Sequence, residues 1–170
     1  VIRIPSLAAA LLLASCAGGG PRPTVKVPPL ADKPLELTAQ DLSGREVRLG
    51  GSGRVIVADF FASWCEPCRE QLPRLDRLAR ELGGRGLDVY GVSFDEEREA
   101  AQGFAAAAGV GFPILWDRGG DRLAPALGVE RLPTTVVADR RGLIRFVHVG
   151  YTAAEQDELE AQVRRLVEEP

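Results

Sequence analysis

The spacing of apolar residues along this chain switches repeatedly between a period of two and a period near 3.6. Leu35–Thr38 and Glu46–Leu49 alternate apolar and polar positions on either side of Asp41-Leu42-Ser43-Gly44, which predicts a β-hairpin. After Gly50-Gly51-Ser52-Gly53, the run Val55-Ile56-Val57-Ala58-Asp59-Phe60-Phe61 is apolar at every position but one, as in a buried strand. Leu72, Leu75, Leu78, Ala79 and Leu82 then recur at helical spacing, with Gly83-Gly84 as the stop signal. Leu87–Ser93 predicts the next strand, Arg98–Ala108 a helix, Phe112–Trp116 a short strand and Leu123–Leu127 a short helix. Thr134–Ala138 and Leu143–Val149 predict two strands joined by the turn Asp139-Arg140-Arg141-Gly142, and Ala153–Val167 a closing amphipathic helix. The order ββ, βα, βα, βα, ββα predicts an α/β fold, a central mixed β-sheet flanked by helices.

Before residue 35 the pattern is different. Arg3 precedes the apolar run Leu7–Ala14, which matches a signal-peptide core and is too short to span a bilayer comfortably. Leu13-Ala14-Ser15-Cys16 resembles the bacterial lipobox, whose cysteine is lipidated and becomes the mature N-terminus. The rival reading is an ordinary secretory cleavage site with an incidental Cys16. Gly18-Gly19-Gly20 and Pro21, Pro23, Pro28, Pro29 and Pro34 follow, a composition that buries little and favours extended chain. The expected organisation is a signal peptide over 1–15, a lipid-anchored Gly/Pro-rich linker over 16–34 and one folded domain over 35–170. The expected location is extracytoplasmic, membrane-anchored in the periplasm or cell envelope. With 21 Lys and Arg against 24 Asp and Glu, interspersed, the chain offers no single-sign field for nucleic acid.

Lipidation of Cys16 also accounts for the odd cysteine count of three, leaving Cys65 and Cys68 as a Cys-x-x-Cys pair. Cysteines at i and i+3 on a first helical turn share a face and lie close enough for a disulfide. Cys65, at the helix start, meets unpaired N–H groups and the positive end of the helix dipole, which favour its thiolate. It is expected to be the exposed nucleophile, with Cys68, one turn in, as the buried resolving thiol. A purely structural disulfide is the rival, but so short a loop constrains the unfolded chain little. Pro67 suits an early helical position. Glu66 places a negative charge beside the thiols, which opposes thiolate formation and argues weakly for a reductant. Pro73 should release the carbonyl of Arg69 and bend the helix. Asp59, in an otherwise apolar strand, is expected to be buried, with a raised pKa. Asp95-Glu96-Glu97 lies between a strand and a helix, where helix capping is the default role. His148, the single histidine, sits between two valines and reads as a structural strand residue. No metal site and no cofactor are expected.

With Trp64-Cys65-Glu66-Pro67-Cys68, Pro73 and Leu132-Pro133-Thr134-Thr135, the chain resembles a thioredoxin-fold protein. More narrowly, it resembles the TlpA/ResA-like family of membrane-tethered thiol-disulfide oxidoreductases, from about Leu35 to the last helix. The segment from Arg98 to Leu115 matches the helix and strand that this family inserts. The resemblance implies an extracytoplasmic protein-disulfide reductase acting on disulfide-containing partners such as apocytochrome c, recharged by a membrane-embedded thiol reductant. It implies that Pro133 is a cis proline facing the cysteines and that the backbone of Leu132 pairs with the partner's chain. It implies that Trp64 covers the disulfide as an apolar lid. Asp59 matches the buried aspartate of thioredoxin, where this family more often carries Asn. Gln71 stands where the family often carries Glu. Asp59 is therefore the candidate proton acceptor for Cys68.

Two rival functions belong to other classes. A thiol peroxidase resembles Pro-x-x-x-Thr-x-x-Cys, but Ala58 and Ala62 stand where Pro and Thr are needed. A copper-handling lipoprotein would use Cys65, Cys68 and His148.

Overall fold

The computed structural model describes residues 30–170. The expected signal peptide, Cys16 and the expected linker up to residue 29 lie outside the described residues. One seven-stranded mixed sheet organises the domain, in the order β2-β1-β5-β4-β3-β6-β7. Its strands are β1 Leu37–Asp41, β2 Glu46–Leu49, β3 Val55–Phe61, β4 Leu87–Ser93, β5 Ile114–Trp116, β6 Thr134–Ala138 and β7 Ile144–Val149. The helices are α1 Glu66–Leu82, α2 Arg98–Ala107, α3 Leu123–Ala126 and α4 Ala153–Glu168. β3, β4 and β5 run parallel, and every other pairing is antiparallel. Among the described residues no helix is long and apolar enough to cross a membrane.

β3 is buried at all seven positions because helices or loops cover both faces of the sheet centre. Its odd positions Val55, Val57 and Phe61 pack with Leu72, Leu75 and Leu78 of α1 and Leu159 and Val163 of α4. Its even positions Ile56, Ala58 and Phe60 pack with Leu35, Leu49, Leu115 and Leu123 on the other face. The side-chain period of two sorts one strand between two cores.

The hairpin differs from the expected one. Its first strand begins at Leu37, and Leu35 is drawn elsewhere: its N–H donates to the Gly142 carbonyl. Asp32 and Lys33 pair with Ile144 in the same way. The chain thus enters across the β6–β7 turn before crossing to β1. β5 starts at Ile114, two residues later than expected, because Pro113 has no N–H to give a ladder. α1 continues through Pro73 to Leu82. β5 joins β4 to β1, so the α2–β5 segment carries the N-terminal hairpin on the sheet.

Candidate functional site

Parallel β3 and β4 deliver their C-terminal ends side by side, and the loop after β3 carries Cys65 and leads into α1, which carries Cys68. Cys65 is the N-cap of α1, and its N–H donates to the Ala62 carbonyl at 3.0 Å. Cys65 and Cys68 form a disulfide with a Cα–Cα distance of 5.4 Å. Glu66 and Pro67 open the helix. Glu66 is well exposed and paired with Arg69 at 3.6 Å, so its charge is directed along the surface. Such exposed pairs are weak.

One expectation needs correction. Cys65 is more accessible than Cys68 but only 5% exposed, against 0% for Cys68, because both sulfurs join the core under α1. Trp64 is 70% exposed and presents apolar surface to solvent beside Cys65.

The Leu132–Pro133 peptide bond is cis. The antiparallel register pairs Phe60 with Thr134, so Pro133 lies at the same end of the sheet as the cysteine loop. Leu132 packs against the cluster that contains Cys65 and Cys68.

Asp59 points to the α1 face and is fully buried. Burial pushes its carboxyl up to about 7, opposed in part by a hydrogen bond from Thr135. The Thr135 hydroxyl donates to Asp59 Oδ1 at 2.7 Å, and Gln71 Nε2 donates to Thr135 Oγ1 at 2.8 Å. Asp59 Oδ2 and Gln71 Oε1 are buried without partners. Gln71 lies three residues beyond Cys68 on the buried side of α1. The structure therefore joins Asp59 to Gln71, which sequence reasoning treated only as a missing acid, through Thr135, which it did not single out.

Asp95-Glu96-Glu97 was expected to cap a helix: Glu97 does occupy the N-cap position of α2, without a side-chain cap, whereas Asp95 bonds elsewhere. Asp95 is buried at the end of β4 and accepts from the Ser63 N–H at 3.0 Å, the Ser63 hydroxyl at 2.7 Å and the Ser93 hydroxyl at 2.9 Å. One carboxylate thus ties down the residue two before Cys65. Trp116 Nε1 donates to the Asp95 carbonyl at 2.8 Å, and the Arg98 guanidinium lies 4.2 Å from the Trp116 ring centroid. This links the α2–β5 segment to the cysteine loop. An acid just past a strand whose parallel neighbour carries the site was the available signal.

His148 pairs across from Thr135 on β7, and its Nε2 lies 2.8 Å from Gln162 Oε1 of α4.

A redox disulfide at a helix N-terminus, with a titratable buried acid on the same face, can exchange thiols and carry the accompanying proton. The chain is 32% identical to the thiol-disulfide oxidoreductase ResA of Geobacillus thermodenitrificans over 68% of this chain and 66% of that protein, so it spans about two thirds of that relative. A Chlorobium tepidum protein described as a thiol:disulfide interchange protein, DsbE, superposes with a TM-score of 0.74 at 29% identity, covering 81% of this chain and 96% of that one. A secreted disulfide oxidoreductase of Mycobacterium tuberculosis, homologous to Escherichia coli DsbE, does so with a TM-score of 0.68 at 29% identity, covering 80% and 100%. The fold is thioredoxin-like, and the activity is that of a thiol-disulfide oxidoreductase. With residues 30–147 matching its profile, the chain belongs to the AhpC/TSA family.

Proposed function

We propose that this protein is a membrane-tethered, extracytoplasmic reductase of disulfides in partner proteins, apocytochrome c being one class. The signal peptide over 1–15, lipidation at Cys16 and the linker over 16–34 would hold a domain over 35–170 beside the membrane. The observation that carries the reading is the Cys65–Cys68 pair at the N-terminus of α1.

In the reduced protein the Cys65 thiolate, favoured by the helix dipole, attacks one sulfur of the partner's disulfide. That S–S bond breaks, the first partner thiolate leaves, and Cys65 holds the partner in a mixed disulfide. Cys68 loses its proton to Asp59 and attacks Cys65, which frees the second partner thiolate and closes the Cys65–Cys68 disulfide. Two electrons pass from the dithiol to the partner, and a membrane-embedded thiol reductant restores them. A carboxyl near 7 suits this transfer, since it can both accept and release a proton near neutrality. Leu132 would offer its backbone to an extended partner segment beside Pro133, and exposed Trp64 would add apolar contact.

The test is Cys68→Ala expressed in the native envelope. Cys65 should then accumulate as a mixed disulfide with its partner, identified by mass spectrometry. A reduction potential of the wild-type pair near that of strong oxidants would overturn the reductive direction.

A further inference from the structure

We propose that Gln71 and Thr135 are positioning residues that orient Asp59 for proton transfer, holding Oδ1 in a fixed hydrogen bond and leaving Oδ2 as the atom that takes the Cys68 proton. The proposal rests on the reading of Asp59 as proton acceptor and assigns the atoms. The Thr135 hydroxyl has one hydrogen and can also accept. Gln71 Nε2 donates to the Thr135 oxygen at 2.8 Å, so the hydroxyl hydrogen is directed to Asp59 Oδ1 at 2.7 Å. The three side chains are 2%, 1% and 0% exposed, so water does not compete for these bonds. Oδ2 is the carboxylate oxygen without a partner, and it is buried. The amide of Gln71 matters here: its N–H₂ donates to Thr135, which an ionised carboxylate could not do.

The surroundings of Asp59 leave this chain as its main polar influence. On β4 it faces Gly91, and on β6 Thr135. α1 carries Cys65 and Cys68, joined as a disulfide, and Arg74, which is committed to Asp157 and Glu160 of α4. β7 contributes His148, one strand beyond Thr135 and bound to Gln162. Burial and the Thr135 hydroxyl are what set its carboxyl. When Cys68 resolves the mixed disulfide, its S–H bond breaks, the proton moves to Oδ2, and the electron pair left on Cys68 forms the new S–S bond.

The experiment follows the Asp59 side-chain carboxyl carbon by NMR through a pH titration of the full chain, alongside the pH dependence of exchange with a model disulfide. The carboxyl carbon reports on Asp59 alone. Thr135→Val removes the donor at constant shape and should raise the Asp59 midpoint by about one pH unit or more. Gln71→Met frees the Thr135 hydroxyl and should raise it less. Thr135→Ser keeps the hydroxyl and should restore the wild-type midpoint. If Thr135→Val does not fold, Gln71→Met and Thr135→Ser carry the test. Unmoved Asp59 midpoints in Thr135→Val, or in Gln71→Met where it stands alone, would overturn the positioning role. A shifted Asp59 midpoint with an unshifted exchange profile would overturn Asp59 as the proton acceptor, and with it the positioning for proton transfer, while leaving the Thr135–Asp59 hydrogen bond itself in place.

Discussion

Replacing Asp59 with Asn should abolish a pH-dependent loss of stability that the wild type carries. In the unfolded chain this carboxyl titrates at its ordinary 3.8; in the fold, burial holds it up to about 7. Between those values the folded state binds one more proton than the unfolded state. Stability from this group is therefore fully present below about pH 4, is lost as pH rises, and levels off above about pH 7. Three pH units at about 1.4 kcal/mol each amount to about 4 kcal/mol. The amide of Asp59→Asn does not titrate, although its own unpaired N–H adds an offset that is constant with pH. Urea unfolding of both proteins, kept oxidised so that neither thiol titrates, should show the variant gaining most of that difference between pH 4.5 and pH 8. Other titrating groups cancel in the comparison. Parallel stability curves for the two proteins would refute the reasoning, because they would mean that the buried carboxyl does not hold its proton.

Three further substitutions test how the cysteine loop and the sheet centre are held. Asp95→Ala leaves the Ser63 N–H, the Ser63 hydroxyl and the Ser93 hydroxyl without their acceptor; it should cost about 2–4 kcal/mol in urea unfolding and slow attack by Cys65 on a model disulfide about tenfold, whereas Ser63→Ala should cost less in both assays. An undisturbed exchange rate in Asp95→Ala would show that the tether does not position Cys65. Gly91→Ala would bring a Cβ to 2.7 Å from Ile114 Cδ1 and 2.9 Å from Phe61 Cε1; crowding of this kind should cost about 1–3 kcal/mol and lower the thermal midpoint, and an unchanged melt would show that β5 yields freely.

What was legible in the chain was whatever rests on local pattern. Leu87–Ser93 and Thr134–Ala138 form strands over the expected residues, because each is an apolar run bounded by turn-forming residues or proline. Asp59 stood out because a charge in a run apolar on both sides has few places to go but the interior. The first hairpin strand slid by two residues because Leu35 answers to the distant Gly142 rather than to its own alternation. The polar chain behind the cysteines was not legible. Gln71 meets Thr135 across 64 residues, and Thr135 meets Asp59 across 76, contacts that exist only once β6 lies beside β3. Asp95 was not separated from Glu96 and Glu97 for the same reason: its acceptor role depends on the parallel neighbour of β4, and a local rule saw only the helix that follows.

The way the chain enters the domain has a geometric consequence for how it would work on a leash. Residues 32–35 are stitched to Gly142, Leu143 and Ile144, at the end of β6 and β7 farthest from Pro133. A segment arriving through residue 30 joins the rear of the domain, while the dithiol occupies the front, beyond the far end of β3. Seven strand residues separate the two poles by about 20 Å. A tether upstream of residue 30, as proposed, would therefore attach at the pole opposite the dithiol, and the breadth of the domain would add to its reach.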